Sequence, residues 1–112
     1  MTVKELETKL KLKPVNEIYD REISGVFISD MVSDVMAGAK ADNVWVTVQT
    51  HKNIAAAANL VDVAAVIIVR GKKVPEDTVQ MADRAKLTLF STEEDTFQIA
   101  VKLFDAGLRP GK

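Results

Sequence analysis

The sequence predicts an α/β domain, a three-layer sandwich in which a mostly parallel sheet of four or five strands carries helices on both faces. Apolar runs rich in β-branched residues alternate with stretches of helical period along nearly the whole chain. The run at 64–69 has no alternating polar position, which is typical of a parallel strand buried on both faces. Parallel neighbours need crossover connections, and these are right-handed.

The first helix and the strands are predicted from local patterns. A helix at 3–12 places Val3, Leu6 and Leu10 on one face, and Pro14 ends it. The stretch that follows, up to the first main strand, is irregular or holds a short strand. Four strands are then predicted, at 23–28, 44–48, 64–69 and 87–90.

A helix is expected after each of these strands. The four helices are predicted at 30–39, 54–61, 75–86 and 92–106. Ser29 or Asp30 is placed to cap the first of them. Ser91 or Thr92 is placed to cap the last, which Gly107 stops. The predicted order is therefore one helix followed by four strand–helix units.

Length and composition exclude several classes of function. The chain has 112 residues with 15 basic and 16 acidic side chains, which predicts a single domain over 1–112 with a flexible tail at 108–112. The absence of cysteine excludes disulfides, thiolate catalysis, iron–sulfur clusters and cysteine-based zinc sites. A net charge of −1 favours neither nucleic acid nor a membrane surface as a partner. The first residues lack the order of a signal peptide, so a cytoplasmic protein is expected.

Uncommon polar residues follow the predicted strands at the points where they end. Because ligands of parallel sheets bind beyond the carboxyl ends of the strands, we expect a small anionic ligand there. Amides at the helix starts would hold it, with Arg70 or Lys72 supplying charge and Asp30 orienting a polar group. The predicted ligand-binding residues are Asp30, Thr50, His51, Asn53, Arg70, Gly71, Lys72, Ser91 and Thr92. The alternative is that they are helix caps and solvated loops.

An alternative hypothesis, that the protein is an enzyme, depends on His51, the only histidine in the sequence. His51 with Asp30 and Asp34 would suit a small phosphotransferase or hydrolase, or a metal site with two carboxylates. These residues lack a diagnostic ligand spacing, and no phosphate loop, dinucleotide fingerprint or nucleophile elbow is present in the sequence. We therefore predict a non-enzymatic protein with no catalytic residues, no metal and no cofactor.

Two helices suggest self-association. The helix containing residues 55–61 has little polarity on any side, which predicts burial all round by a neighbouring helix or by a partner subunit. The helix containing 31–37 adds two methionines, which suit an interface as well as a core. A homodimer is predicted, and burial in an ordinary core is the alternative.

Several segments carry a resemblance that covers nearly the full chain. They are DREISG at 20–25, SDMVSDVMA at 29–37, Thr47, the run LVDVAAVIIVRGK at 60–72, and LFST at 89–92. In order and spacing these segments resemble the DRTGG domain family. The likeness of Asp20 and Arg21 to the family motif implies a structural role, in which Arg21 bridges carbonyls at a turn or Asp20 binds backbone amides.

The resemblance implies a regulatory or assembly module. Such domains accompany CBS domains in nucleotide-responsive pyrophosphatases and are similar to the non-catalytic N-terminal domain of HPr kinase/phosphorylase. The implied partners are a second copy, a hydrogenase-associated or other metabolic complex, and a small anionic ligand or adenine nucleotide. A purely structural interaction subunit is the remaining alternative. Kinase activity would need a phosphate loop, and a hydrogenase cluster would need cysteines, so neither is predicted for this chain.

Overall fold

Five strands form one sheet in the computed structural model, which describes residues 1–111. In chain order the elements are α1 (Val3–Leu10), β1 (Lys13–Pro14), β2 (Gly25–Ile28), α2 (Val32–Gly38), β3 (Asn43–Thr47), α3 (Asn53–Val61), β4 (Ala65–Ile68), α4 (Glu76–Arg84), β5 (Thr88–Ser91) and α5 (Thr96–Asp105). Strands β2 to β5 are parallel, and β1 runs antiparallel to β5. No helix within residues 1–111 is long and apolar enough to cross a membrane.

The strand order determines which helices share a face of the sheet. The order is β1-β5-β4-β3-β2, so the four parallel strands are neighbours in the order in which the chain reaches them. Because crossovers between parallel strands are right-handed as a rule, three in one direction place α2, α3 and α4 on the same face. There these helices pack against Trp45 and Leu89. Helices α1 and α5 pack on the other face, against Ile67 and Phe90. The predicted three-layer sandwich is confirmed.

The first and last helices begin at capping boxes. The Thr2 hydroxyl accepts a hydrogen bond from the Glu5 amide, and the Glu5 side chain accepts one from the Thr2 amide. Asp95 and Gln98 form the same arrangement at the start of α5. The expectation that Ser91 or Thr92 caps this helix is therefore wrong, because α5 begins four residues later than the pattern suggests.

Helix α2 begins without a side-chain cap. Its N-cap residue is Met31, and the Ser29 hydroxyl accepts a hydrogen bond from the Met31 amide at 3.1 Å. Asp30 is not the cap that the sequence suggests, since its carboxylate instead accepts hydrogen bonds at the end of β3. The loop before α2 is thus held by the neighbouring strand as well as by the helix.

The alanine-rich helix α3 is buried on one side within one copy of the chain. Its other side is exposed, with Leu60 at 73%, so the predicted burial all round is wrong. It packs between α2 and α4, and Ala55, Ala57 and Ala58 face the core together with Ile54. Small side chains let the helix lie close to the sheet and to both flanking helices. Ordinary core packing therefore explains the low polarity of α3, and the predicted homodimer needs support from another surface.

The C-terminal segment runs along the edge of β2. The Val26 amide donates to the Arg109 carbonyl and the Gly111 amide donates to the Val26 carbonyl, both at 2.9 Å. A Cβ atom at Gly25 would lie 2.8 Å from the Gly111 Cα, so glycine is needed for this close approach. These contacts order 109–111 along the strand edge, the flexibility expected for 108–112 stays a prediction, and Lys112 lies outside the described residues.

Candidate functional site

A crevice opens where the connections after β4 and β5 separate. The connection after β4 leads to α4 on one face of the sheet, and the connection after β5 leads to α5 on the opposite face. Adjacent parallel strands whose connections diverge leave a crevice at their carboxyl ends, which is the usual place for ligands in such sheets. Here the crevice has a volume of about 690 Å³. This volume lies within the range of small-molecule sites.

Four lysines line this crevice, which we call the β4–β5 crevice. Lys72 and Lys73 come from the loop between β4 and α4, whereas Lys11 and Lys13 come from the end of α1 and from β1. Lys13 pairs with Ser91 across the antiparallel β1–β5 ladder. That pairing brings cations from the start of the chain to the carboxyl end of β5.

The two loops that form the crevice are fastened to each other. The Gly71 amide donates to the Thr92 carbonyl at 2.8 Å, and the Arg70 amide donates to the Glu94 carbonyl at 2.9 Å. Both Arg70 and Gly71 have left-handed backbone conformations, with φ of 67° and 62°. Consecutive left-handed residues turn the chain tightly at the end of β4, which keeps the Lys72–Lys73 segment beside the loop after β5.

Two carboxylates also face the crevice, in different electrostatic situations. Glu94 forms an ion pair with Lys102 of α5, so its charge is compensated. Glu93 forms no ion pair with any of residues 1–111. A Cβ atom at Gly71 would overlap the Glu93 carboxylate, which shows that this carboxylate packs directly over the glycine. The four lysines therefore outnumber the one uncompensated acid.

The predicted ligand-binding residues separate into two groups. Gly71, Lys72, Ser91 and Thr92 line the β4–β5 crevice. The Thr92 hydroxyl oxygen accepts a hydrogen bond from the Glu94 amide at 3.2 Å, which leaves its O–H free to donate. The remaining predicted residues do not line the crevice; they are Asp30, Thr50, His51, Asn53 and Arg70.

The residues after β2 and β3 make local structural hydrogen bonds. The Asp30 carboxylate accepts from the Thr47 hydroxyl at 3.1 Å and from the Val48 amide at 2.8 Å. His51 Nδ1 accepts from the Asn53 amide at 3.1 Å, at the first turn of α3. No group of three His, Cys, Asp or Glu side chains within residues 1–111 is arranged to hold a metal ion. These contacts give Asp30 and His51 roles in loop structure.

Arg21 joins two turns at the opposite, amino-terminal edge of the sheet. Its Nε donates to the Asp42 carboxylate at 3.0 Å, and Nη1 donates to the Asp62 carboxylate at 2.9 Å. Nη2 also donates to the Asp62 carbonyl at 3.3 Å. Asp42 and Asp62 both have left-handed backbones, in the turns that lead into β3 and β4. The hydrogen bond from Arg21 lowers the pKa of Asp62 below its usual value.

Asp20 acts beside Arg21 in the same segment. Its carboxylate accepts a hydrogen bond from the Lys4 amide at 2.9 Å, and the Arg21 carbonyl accepts one from the Val3 amide at 3.0 Å. These amides belong to the first turn of α1, where a helix leaves its donors unpaired. The amide-binding role implied for Asp20 is thus present at Lys4, whereas Arg21 bridges two carboxylates and contacts a single carbonyl.

Comparison with known proteins gives the family. The family model for the DRTGG domain matches residues 11–106. The chain belongs to the DRTGG domain family. A solved structure of the CBS and DRTGG domains of the regulatory region of Clostridium perfringens pyrophosphatase, complexed with the activator diadenosine tetraphosphate, is similar to this DRTGG domain, with a TM-score of 0.70 and 14% sequence identity. The match covers 90% of this chain and 45% of that one, so the chain spans less than half of the solved structure. No curated protein matches.

Sequence reasoning missed part of the crevice of this DRTGG domain. The predicted ligand-binding residues do not include Lys11, Lys13, Lys73 or Glu93, which line the crevice. The two-residue strand β1 brings the first two to the crevice, and so short a strand has no periodicity to detect. The one usable signal was the Lys-Leu-Lys-Pro segment at 11–14, directly after a helix that proline must end.

Proposed function

We propose that this DRTGG domain is a non-enzymatic regulatory module that binds a small phosphate-bearing ligand, with adenine nucleotides as the first class to test, in the β4–β5 crevice. The observation that supports this most is the convergence of Lys11, Lys13, Lys72 and Lys73 on one cavity at the point where two connections diverge. The similar pyrophosphatase region was solved with diadenosine tetraphosphate as its activator, which supports the choice of ligand class.

The charges of the crevice favour a multiply charged anion. Lys72 and Lys73 are exposed at one side, and Lys11 and Lys13 are exposed at the other. A phosphate chain lying between them would meet cations on both sides, while the Ser91 and Thr92 hydroxyls would donate to its oxygens. Because the cations are solvent-exposed, added salt screens their attraction for the ligand.

Ligand binding at this place would act on both faces of the sheet. The loop that carries Lys72 and Lys73 leads to the start of α4, and the loop that carries Ser91 and Thr92 leads to the start of α5. A ligand that contacts both loops therefore biases the positions of two helices on opposite faces. Differential affinity for two arrangements of these loops is the physical requirement for regulation by a ligand.

The direct test is calorimetric titration of the chain with diadenosine tetraphosphate, ATP, AMP and inorganic pyrophosphate at low and high salt. We expect saturable binding of one ligand per chain for the compounds with several phosphates, weakened by salt. Pyrophosphate separates the phosphate contribution from that of the adenosine groups. The proposal is wrong if none of the four compounds gives a saturable signal.

Glu93 is expected to oppose this ligand. Its carboxylate packs over Gly71 inside the cationic crevice, so a phosphate must displace it or lie beside a like charge. Replacing Glu93 by glutamine should tighten binding by about threefold to tenfold, the effect of one screened like charge near the ligand. The matched control is Glu17→Gln. Glu17 is exposed, and its carbonyl accepts a hydrogen bond from the Thr88 hydroxyl at the amino end of β5, away from the crevice. Weaker binding by Glu93→Gln in the same titration would instead mean that Glu93 contacts the ligand favourably.

We further propose that the module acts as a homodimer. The supporting observation is the number of large apolar side chains that one copy leaves exposed, among them Phe97, Val101 and Phe104. A protein partner from a hydrogenase-associated or other metabolic complex stays a prediction from the family resemblance.

A further inference from the structure

Helix α5 presents an apolar stripe to solvent. Phe97, Val101 and Phe104 follow the spacing of one helix face, and 76%, 43% and 59% of their surfaces are exposed. Beside Phe104 lies a groove of about 470 Å³ between β2 and α5, at whose edge Ile28 is 44% exposed. The groove lining is mainly apolar, so the stripe and the groove form one continuous surface, which we call the α5 face.

We infer that the α5 face is the surface through which two copies of this chain associate, with their α5 helices antiparallel across a two-fold axis near Val101. This inference rests on the homodimer of the proposed function and names its interface. A two-fold interface requires a surface that is complementary to itself. With Val101 near the axis, Phe97 of one copy meets Phe104 of the other, and each aromatic ring gains an aromatic neighbour.

The charges at the two ends of α5 are complementary in this arrangement. The Arg109 guanidinium stacks on the Phe104 ring at 3.9 Å and forms no ion pair with any of residues 1–111. Before the opposite end of the helix lie Glu93, Glu94 and Asp95, of which Glu94 is already paired with Lys102. Antiparallel pairing places the cation of each copy near the acidic end of the other. Antiparallel helix dipoles also attract, whereas a parallel arrangement would bring like ends together.

The exposed area is adequate for a dimer of ordinary size. A fully exposed phenylalanine presents about 200 Å², so the exposed fractions of Phe97 and Phe104 amount to roughly 270 Å² of apolar surface in each copy. A standard interface buries about 800 Å² on each partner, somewhat more than half of it apolar. Val101 and Ile28 add to the area of the two phenylalanines, so the α5 face supplies most of the apolar area that such an interface needs. The net charge of −1 gives little repulsion between copies.

Analytical ultracentrifugation of the intact chain at several concentrations tests the association. We expect a monomer–dimer equilibrium whose dissociation constant rises at least about tenfold in Phe97→Glu and in Phe104→Glu, since buried aromatic residues dominate such interfaces. Both side chains are exposed in one copy, so the variants should keep the thermal midpoint that the wild type shows at concentrations where it is monomeric. The matched control is Leu60→Glu, at a position that is 73% exposed on α3 across the sheet.

A crosslinking experiment places the two-fold axis. The chain has no cysteine, so a single Val101→Cys substitution should form an intermolecular disulfide on oxidation, and Leu60→Cys should not. If Leu60→Glu weakened the dimer and the phenylalanine variants did not, the α5 face would not be the interface, although the chain would still form a homodimer. A chain that stays monomeric at every concentration would overturn both, without bearing on ligand binding in the β4–β5 crevice.

Discussion

Replacing Lys72 and Lys73 together by glutamate is expected to weaken binding of diadenosine tetraphosphate by about a hundredfold. Each lysine offers a charge-assisted contact to a phosphate, and the loss of two such contacts at about 1.4 kcal/mol each corresponds to that factor. Both side chains are exposed, so the double variant should fold normally. Calorimetric titration measures the change in affinity, and circular dichroism verifies the fold.

The control for this variant separates local contacts from net charge. Lys40 and Lys86 are also exposed, and they lie in the turns after α2 and α4, at the amino-terminal edge of the sheet. Replacing both by glutamate changes the net charge equally, yet it should leave the affinity nearly unchanged at physiological salt. Equal weakening in the two double variants would mean that ligand attraction comes from overall charge and not from the crevice.

Replacing Arg21 by alanine is expected to lower the free energy of unfolding by about 2 kcal/mol. Arg21 donates to the carboxylates of Asp42 and Asp62 and to a backbone carbonyl, and hydrogen bonds to charged groups are each worth about 1.5–3 kcal/mol before the discount for partial exposure. The thermal midpoint should fall by roughly 10 °C. Arg21→Lys keeps the charge but cannot span both turns, so its stability should lie between those of the wild type and the alanine variant.

The pH dependence of this effect identifies its cause. Arg21 lowers the pKa of Asp62, so the contribution of this carboxylate to stability is fully present above the unfolded-state pKa and is lost as the pH falls through the lowered native pKa. Urea unfolding at neutral and acidic pH should therefore show a smaller difference between wild type and Arg21→Ala at the acidic pH. A difference that is equal at both would argue that Arg21 stabilises the fold by packing and not through its carboxylate partners.

The fold was predictable because its signals are local. The uninterrupted apolar run at 64–69 identified a doubly covered strand, and the alternation around it identified the parallel sheet. Helix starts were less predictable. Aspartate is a typical capping residue, yet the Asp30 carboxylate binds Thr47 and Val48 at the end of β3, which are 17 and 18 positions away in the sequence. Local propensity cannot predict that Asp30 binds a neighbouring strand instead of capping α2.

The candidate site was predictable to the level of the sheet edge and no further. Residues at strand ends were expected to gather there, and Gly71 and Ser91 do lie together. Which strand ends form the crevice depends on strand order and on the face to which each helix crosses, and neither is written in local periodicity. That topology places His51 outside the crevice. It also places Lys13 in the crevice, because β1 pairs with β5.

Amide NMR of the labelled chain during titration with diadenosine tetraphosphate tests the central claim most directly, because it reports where a ligand binds. We expect saturable shift changes concentrated at 70–74 and 91–95, with a smaller set at 11–15. Changes centred on Asp30 and His51, at the ends of β2 and β3, would place the ligand on the other half of the edge and contradict the β4–β5 crevice. A spectrum that does not change at saturating nucleotide would contradict ligand binding itself.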